Sequence, residues 1–241
     1  MPARQQTLRF GDAWARLGPW RGGGRVAHLV VAPDAPLSGE AVLACLKRAR
    51  AAGYEEVLTS AIGPAEEERF VEARFTVRER LHLLTHEIDE EPRLPARRSG
   101  TEPARPVTRA TRRDRAAVLA LDDVAFDTFW RLAALGLRDA LDATPVHQFR
   151  ATRSEETLTG YAITGRAGSQ GYLQRVAVHP DAQRQGWGTA LVADAMHWLW
   201  RHGAVRAFVN TQLENDAALS LYESFGFSVL PAGLAVLGRS L

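Results

Sequence analysis

The chain has 241 residues, of which 46% are hydrophobic and 24% are charged. This composition is typical of a globular protein with a sizeable core, and it excludes a short peptide, a coiled coil and a disordered chain. Thirty Lys and Arg residues stand against 28 Asp and Glu residues, which leaves a net charge of +2. A balance this close to neutral indicates no nucleic-acid partner.

The cysteine content and the hydropathy of the chain indicate its cellular location and whether it associates with a membrane. Cys45 is the only cysteine, so an intrachain disulfide and a cysteine-based metal site are excluded, and the cytoplasm is the expected location. The N-terminal stretch has no apolar core of the kind found in secretory signals, and no run of about 18 apolar residues occurs. We therefore expect no membrane association.

A segment rich in proline divides the chain. Residues 91–106 contain Pro92, Pro95, Pro103 and Pro106 and almost no apolar residues, a composition that favours an extended linker. The sequence thus predicts an N-terminal domain over 1–90, a linker over 91–106 and a C-terminal domain over 107–241.

The C-terminal domain shows hydrophobic periodicities that alternate between strand and helix. The predicted elements are a strand at 107–110, helices at 113–125 and 129–141, strands at 147–152, 158–165 and 171–178, a helix at 186–201, a strand at 204–210, a helix at 215–224, and strands at 227–229 and 234–237. This order predicts an α/β fold with a mixed sheet.

One stretch of this domain carries a pattern with a chemical meaning. After the strand at 171–178, the spacing Gln183-x-x-Gly186-x-Gly188 opens a helix. A helix N-terminus presents unpaired amides and a positive dipole end, and residues without a Cβ let a bulky pyrophosphate approach the backbone. By itself the pattern fits a glycine turn that packs a helix against a sheet equally well.

A second pattern follows the next strand and reads Asn215-x-x-Ala218-x-x-Leu221-Tyr222-x-x-x-Gly226-Phe227. Together the two patterns resemble the GNAT family of N-acetyltransferases, over roughly 107–241. The resemblance implies the GNAT fold, in which a mixed sheet opens to admit the pantetheine arm of acetyl-CoA. A dinucleotide-binding unit is not indicated, because no crossover to a parallel strand followed by an acidic residue is recognisable.

The resemblance also implies roles for particular residues. The backbone of Val176, Ala177 and Val178 would pair with the pantetheine, and one of their amides would polarise the thioester carbonyl. Asn215 would bond the pantetheine or cap its helix, and the Tyr222 hydroxyl would protonate the leaving thiolate. The amides expected to hold the pyrophosphate are those of Gln183, Arg184, Gln185, Gly186, Trp187, Gly188 and Thr189.

In this resemblance the acetyl group passes directly to an acceptor, which is a primary amine of a small molecule or of a protein N-terminus, without a metal. The sequence leaves the oligomeric state open. Each role has a structural alternative: Tyr222 and Trp187 could be packing aromatics, Asn215 is an N-cap in either case, and His179 is expected in a solvated turn.

The general base is not found in the sequence. Some members of the family carry a glutamate near the strand at 173–178, where this chain has Gln174 and Arg175. A water relay is an alternative. Glutamates at 155, 156 and 214 are expected at a hairpin tip and before a helix. The missing base leaves a second hypothesis open, in which the protein binds acyl-CoA as a regulatory or interaction module and does not catalyse.

The N-terminal domain resembles a degenerate half of the same unit, short of its first strands and helices, in an arrangement similar to that of tandem mycothiol synthases, which carry two fuller copies. In this alignment Ala32–Ala35 matches His179–Ala182. Gly39 keeps the place of Gly186, but four substitutions remove the chemistry and predict one cofactor per chain: Pro36 for Gln183, Ala41 for Gly188, Phe70 for Tyr222, and Arg74 for Gly226, the residue best able to end that helix in a left-handed turn.

Two other groups are not expected to act. Cys45 falls on the apolar face of a helix, which predicts a buried, inert thiol. His82 and His86 have the spacing of a helical metal pair, but the repeat alignment places them on a strand, where about 13 Å would separate them. The sequence therefore predicts no metal site.

Overall fold

The computed structural model describes residues 5–22, 24–32, 35–92 and 105–241. The chain forms two compact units, Met1–His82 with Pro231–Leu241, and Leu83–Leu230. Residues 93–104, most of the expected linker, lie outside the described residues, as do Pro33 and Asp34 of the repeat alignment. The division differs from the expected boundary at residue 90 because two long strands each contribute residues to both units, which local composition does not reveal.

The first unit is a sheet with two helices. Its elements are β1 (Gln6–Phe10), β2 (Ala13–Pro19), β3 (Val26–Val31), α1 (Gly39–Ala51), β4 (Glu56–Thr59), α2 (Pro64–Glu72) and the first part of β5 (Thr76–Glu87). The strands β1, β2 and β3 are antiparallel, whereas β3 and β4 are parallel because α1 crosses between them. The last residues of the chain form a strand antiparallel to β4. The core of this unit includes Leu29, Val42, Cys45, Val57 and Phe70.

The first unit differs in part from what the sequence predicts. Three strands precede α1, so this domain has more of its first strands than expected, and within the described residues no α-helix precedes α1. The turn that joins β1 to β2 is made at Gly11, which has a φ of 62°. His82 and His86 lie on β5 as predicted. Cys45 is 0% exposed, and burial raises its pKa to about 11, as expected of an inert thiol.

The second unit contains the remaining elements. These are β6 (Val107–Arg109), α3 (Arg115–Ala125), α4 (Ala134–Leu141), β7 (Val146–Ser154), β8 (Thr157–Ala167), β9 (Gln170–Val178), α5 (Trp187–Arg201), β10 (Arg206–Gln212), α6 (Asp216–Ser224) and the first residues of β11 (Ser228–Ser240). The strand order is β5-β10-β9-β8-β7-β6. The pairs from β6 to β9 are antiparallel and the pair β9–β10 is parallel, which confirms the predicted mixed sheet.

Each face of this sheet is covered by helices, because the strands are apolar on both sides. One core lies under α3 and α4 and includes Val118, Leu121, Leu137, Tyr161 and Ile163. The other lies under α5 and α6 and includes Leu84, Val192, Leu199, Val209 and Phe227. The sheet and its two helical layers thus fix the position of the turn between β9 and α5.

Two predicted elements of this domain are corrected. The helix expected over 129–141 begins only at Ala134, because side chains hold the preceding backbone in a turn: Asp127 Oδ1 accepts from the amides of Phe129 (2.9 Å) and Trp130 (3.3 Å). The two strands expected at 227–229 and 234–237 are one strand, β11, which continues through Pro231 and Gly233.

Candidate functional site

The sheet of the second unit opens between β9 and β10. Their pairing register covers three residue pairs, from Gln170 with Arg206 to Tyr172 with Phe208. On its other side β9 stays paired with β8 as far as Val178, across an irregularity at Gln174. In the described residues, Val176, Ala177 and Val178 therefore have strand pairing on one side only. Their backbone groups on the β10 side are free to pair with another extended chain.

The turn after β9 is shaped by two residues in left-handed conformations. Arg184 has a φ of 58° and Gly186 a φ of 85°. The Gln183 amide is used within the turn, where it donates to the Pro180 carbonyl (3.2 Å). The Gln185 side chain donates to the Asp181 carbonyl (3.0 Å) and holds the turn closed. The backbone is thereby set before α5 begins.

The N-terminus of α5 carries no cap of its own. Gly186 is the N-cap residue and makes no side-chain hydrogen bond to the first turn, and the first turn contains no acidic residue. The amides of Trp187, Gly188 and Thr189 lie in this first turn, where a helix has no backbone partner for them. This end of the helix thus has the geometry of an anion site.

Packing as well as chemistry favours a glycine at position 188. A Cβ at this position would lie 3.2 Å from Leu221 Cδ2 and 3.7 Å from Val178 Cγ2. Because the first turn of α5 sits close against α6 and β9, the packing alternative given by the sequence is supported here and does not exclude the anion site.

Trp187 is buried, and Arg105 covers it. The indole is 3% exposed, and its Nε1 has no hydrogen-bond partner among the described residues. The Arg105 guanidinium lies 4.5 Å from the centre of the Trp187 ring, and its Nε donates to the Gln185 carbonyl (3.0 Å). A cation is therefore held beside the turn that would carry a pyrophosphate. The sequence placed Arg105 in the linker, and no local signal could have brought it here.

Asn215 and Tyr222 lie on α6 as predicted. Asn215 Oδ1 accepts from the Ala218 amide (3.1 Å), so this residue is the N-cap. Tyr222 is 6% exposed and packs against Phe227 with ring centres 6.0 Å apart. Burial raises the pKa of the Tyr222 hydroxyl well above its usual range. The residue is therefore an aromatic of the core whose hydroxyl keeps its proton at neutral pH.

A buried acid–base cluster occupies the strand where the sequence offered no carboxylate. Asp122 on α3 is 0% exposed and Arg175 on β9 is 8% exposed. Asp122 Oδ2 accepts from Arg175 Nε (2.9 Å), from Arg175 Nη2 (2.6 Å) and from the Tyr161 hydroxyl. Asp122 and Arg175 are 53 positions apart, so the sequence could not pair them.

The same cluster fixes the segment between α3 and α4. Asp122 Oδ1 accepts from the Leu132 amide (2.7 Å), and Arg175 Nη2 donates to the Trp130 carbonyl (2.8 Å). The Arg175 guanidinium also lies 3.5 Å from the centre of the Phe126 ring. Because both oxygens of Asp122 are engaged and inaccessible, this carboxylate is a structural anchor and not a base open to substrate.

Other residues singled out in the sequence lie in the turns that follow β9 and β7. His179 begins the turn after β9 and its Nδ1 accepts from the Asp181 amide (3.3 Å). Glu155 and Glu156 form the exposed turn between β7 and β8, as expected. The described residues contain no cluster of three or more His, Cys, Asp or Glu suited to a metal. Among the same residues, no helix is long and apolar enough to span a membrane.

Comparison with known proteins agrees with the geometry. Residues 116–227 match the model of the Acetyltransferase (GNAT) family. Over 71 residues the chain is 37% identical to the ribosomal protein bS18-alanine N-acetyltransferase of Escherichia coli (strain K12), a match that covers 30% of this chain and 48% of that protein. It is 36% identical over 75 residues to the aminoglycoside N(6')-acetyltransferase type 1 of Klebsiella aerogenes, covering 31% of this chain and 49% of that protein. The chain thus spans about half the length of these curated relatives.

A solved structure extends the likeness along the chain. The tandem GNAT protein from the clavulanic acid biosynthesis pathway superposes with a TM-score of 0.67 at 14% identity, covering 100% of this chain and 84% of that one. At this identity the likeness shows the fold. The protein therefore has the GNAT fold with a mixed sheet, and its residues 116–227 match the family of GNAT acetyltransferases.

Proposed function

We propose that this protein is a cytoplasmic N-acetyltransferase that transfers the acetyl group of acetyl-CoA directly to a primary amine of a small molecule or of a protein N-terminus. The observation that carries the proposal is the opening between β9 and β10 next to the uncapped N-terminus of α5. A pantetheine arm needs an unpaired strand edge, and a pyrophosphate needs free amides. This chain offers both at one end of β9.

The residues fit acetyl-CoA in the following way. Val176, Ala177 and Val178 would pair with the pantetheine through the side of β9 that β10 leaves free, and one of their amides would stabilise the developing oxyanion. The amides from Arg184 to Thr189 would hold the pyrophosphate, since the Gln183 amide already donates within the turn, and Arg105 would add a positive charge beside it. When bound, acetyl-CoA supplies an acetyl thioester whose carbonyl carbon accepts the amine.

Tyr222 is proposed to donate a proton to the departing thiolate. Its buried hydroxyl is fully protonated at neutral pH, which is the state that an acid needs. Asn215 is proposed to fix the start of α6 by accepting a hydrogen bond from the Ala218 amide. The fixed helix start in turn orients Tyr222, which lies about two turns later in the same helix. No general base is assigned. Since Asp122 is enclosed and paired, a water relay is the simplest route for the proton of the amine.

The names of the relatives, and not the shape of a pocket, support the proposed class of acetyl acceptor. One relative is named for the alanine N-terminus of a ribosomal protein and the other for an aminoglycoside, and both acceptors are amines. The common chemistry supports a primary amine as the acceptor of this chain.

The first unit is proposed to be a degenerate half of a GNAT unit. Both units contain the succession of a helix, a strand, a second helix and a strand after the position of the turn. Two local details recur in both units. The Phe75 amide donates to the Phe70 carbonyl (2.9 Å), as the Phe227 amide donates to the Tyr222 carbonyl (3.2 Å). Arg74 has a φ of 61° where Gly226 has 83°, so the left-handed turn expected to be lost with the glycine is kept.

The test is a calorimetric titration of the full chain with acetyl-CoA, followed by a screen of amines that includes an Ala-initiated peptide and an aminoglycoside. Binding followed by acetylation of an amine supports the proposal. Absence of binding up to about 1 mM acetyl-CoA would refute it, because such a Kd is weaker than a working cofactor site needs. Binding without acetylation of any amine would favour the alternative of a non-catalytic acyl-CoA-binding module.

A further inference from the structure

A groove rich in arginine lies at the other end of the second unit's sheet. It has a volume of about 630 Å³ and runs beside β6, the start of β7 and the later turns of α5. No Asp or Glu is among the described residues that line it. Its principal lining residues are Arg109, Arg112, Arg115, His147, Arg150 and Trp198.

Three of these arginines have no acidic partner among the residues that the structure describes. Arg150 is paired with Asp194 on α5 (3.0 Å), but within the described part of the chain no ion pair or side-chain hydrogen bond engages Arg109, Arg112 or Arg115. Like charges that line one concave surface repel each other. An anion that entered the groove would relieve it.

The backbone that presents these arginines is held firmly. Asp114 closes a capping box on Thr111, accepting from its amide (2.6 Å), and so fixes the turn that carries Arg112. Arg153 on β7 pairs with the same Asp114 and donates to Thr108 Oγ1 (3.1 Å). The neighbouring ion pairs thus fix the backbone, whereas the described residues offer no ion pair to Arg109, Arg112 or Arg115 at the groove. Such preorganisation lowers the entropic cost of binding.

The size and chemistry of the groove indicate a class of ligand. A guanidinium matches a phosphate with two parallel hydrogen bonds. A volume of about 630 Å³ exceeds what one phosphate fills and lies in the range of sites for small organic molecules. Phe149 and Trp198 add apolar wall on which a ring can rest. We propose that this groove binds a small organic polyphosphate whose phosphates are held by Arg109, Arg112 and Arg115.

This site is separate from the proposed acetyl-CoA site. Trp198 in the groove and Trp187 at the cradle lie 11 residues apart on α5, which corresponds to about 16 Å along the helix. The inference therefore goes beyond the proposed transfer reaction and does not depend on it. Blocking one site should leave the other intact.

The experiment is a calorimetric titration of the full chain with ATP and, separately, with tripolyphosphate. The test variant is Arg112→Ala with Arg115→Ala. The matched control is Arg113→Ala, because Arg113 is an exposed neighbour that does not line this groove. It also does not line a second cavity, which is lined by Arg112, Arg115, Arg138 and Asp142. A second variant, Gly188→Glu, blocks the cradle at α5 and reports whether the probe binds there.

We expect the double variant to lose at least about tenfold in affinity for both probes, since each charge-assisted bond to phosphate is strong. Arg113→Ala and Gly188→Glu should stay within about twofold of the parent chain. Three results would overturn the proposal: no binding of either probe up to about 5 mM, equal binding by the double variant and the parent, or loss of binding in Gly188→Glu. Tighter binding of a single-stranded RNA than of ATP would also overturn it, in favour of a nucleic-acid surface.

Discussion

The buried pair of Asp122 and Arg175 allows a sharp prediction about stability. Replacing Asp122 by Asn removes the charge but keeps the volume, and it leaves the guanidinium of Arg175 enclosed without a counter-charge. Breaking a buried ion pair from one side costs about 3–5 kcal/mol. In a chain of this size each kcal/mol lowers Tm by about 2–4 °C, so we expect a decrease of about 6–20 °C.

The chain offers a matched control next to Asp122. Asp123 carries the same carboxylate on the same helix and pairs with Arg131 at 3.3 Å, but its side chain is 63% exposed. An exposed pair contributes about 0–1 kcal/mol, so Asp123→Asn should leave Tm within a few degrees of the parent. Both variants remove one negative charge from α3, so the difference between their Tm values reports the effect of burial.

The assay is scanning calorimetry of both variants and of a double variant, Asp122→Leu with Arg175→Met. Replacing both charges with apolar side chains removes the unpaired ion, so the double variant should recover part of the loss, although the Leu132 amide and the Tyr161 hydroxyl also lose their acceptor. Limited proteolysis should cut the segment between α3 and α4 faster in the double variant than in Asp122→Asn, because leucine removes the oxygen that accepts from the Leu132 amide, whereas asparagine keeps one. Equal Tm values for Asp122→Asn and Asp123→Asn, or a double variant as unstable as Asp122→Asn, would refute the reasoning.

Four further predictions concern the proposed site and the first unit. Tyr222→Phe should lower turnover about 10- to 1000-fold with little change in acetyl-CoA affinity, whereas Tyr172→Phe, which removes an exposed hydroxyl, should not; equal turnover in both would make Tyr222 a packing residue. Gly188→Glu should abolish acetyl-CoA binding in calorimetry, while Gly188→Ala, which adds only a methyl group, should retain most of it; intact binding by the glutamate variant would exclude the cradle. Calorimetry should fit one acetyl-CoA per chain, and a stoichiometry near two would contradict the loss of the site in the first unit. Burial and the charge of Arg21 lower the pKa of His28 to about 3, so below its ordinary pKa of about 6.5 the unfolded chain binds a proton that the native chain does not. The urea concentration at the unfolding midpoint should therefore decrease as the pH is lowered from 6.5 to 4. An equally steep decrease with pH in His28→Phe would show that another group is responsible.

Local patterns were sufficient to predict the elements that build the proposed site. The strand β9, the turn and the helix α5 follow from apolar alternation, a proline and the glycines at 186 and 188, all within one stretch of sequence. The N-cap role of Asn215 is equally local, because the side chain and the amide it accepts from are three positions apart. Short-range rules decide these features, and tertiary contacts did not override them.

Features that depend on distant partners could not be predicted in this way. In addition to the local turn at Asp127, Asp122 from the preceding helix takes the Leu132 amide that an earlier start of α4 would have used. Arg105 reaches Gln185 across 80 positions, and nothing in a proline-rich stretch marks it as part of a site. In both cases the hydrogen bond joins residues that are brought together by the tertiary fold and not by their local sequence.

The two helices that the repeat alignment equates show how the same order of elements gives two different helix N-termini. In α1 the Ser38 hydroxyl accepts from the Ala41 amide (3.2 Å), and Glu40 places a negative charge in the first turn. Both features satisfy and neutralise the positive end of that helix, so it has no need of an anion and would repel one. In α5 the corresponding turn has Gly186 in place of a capping side chain and no acid, so its amides and dipole are left for a ligand. We therefore expect the cap that stabilises α1 to disfavour a pyrophosphate in the first unit, whereas at α5, which lacks this cap, a bound cofactor would supply the missing stabilisation.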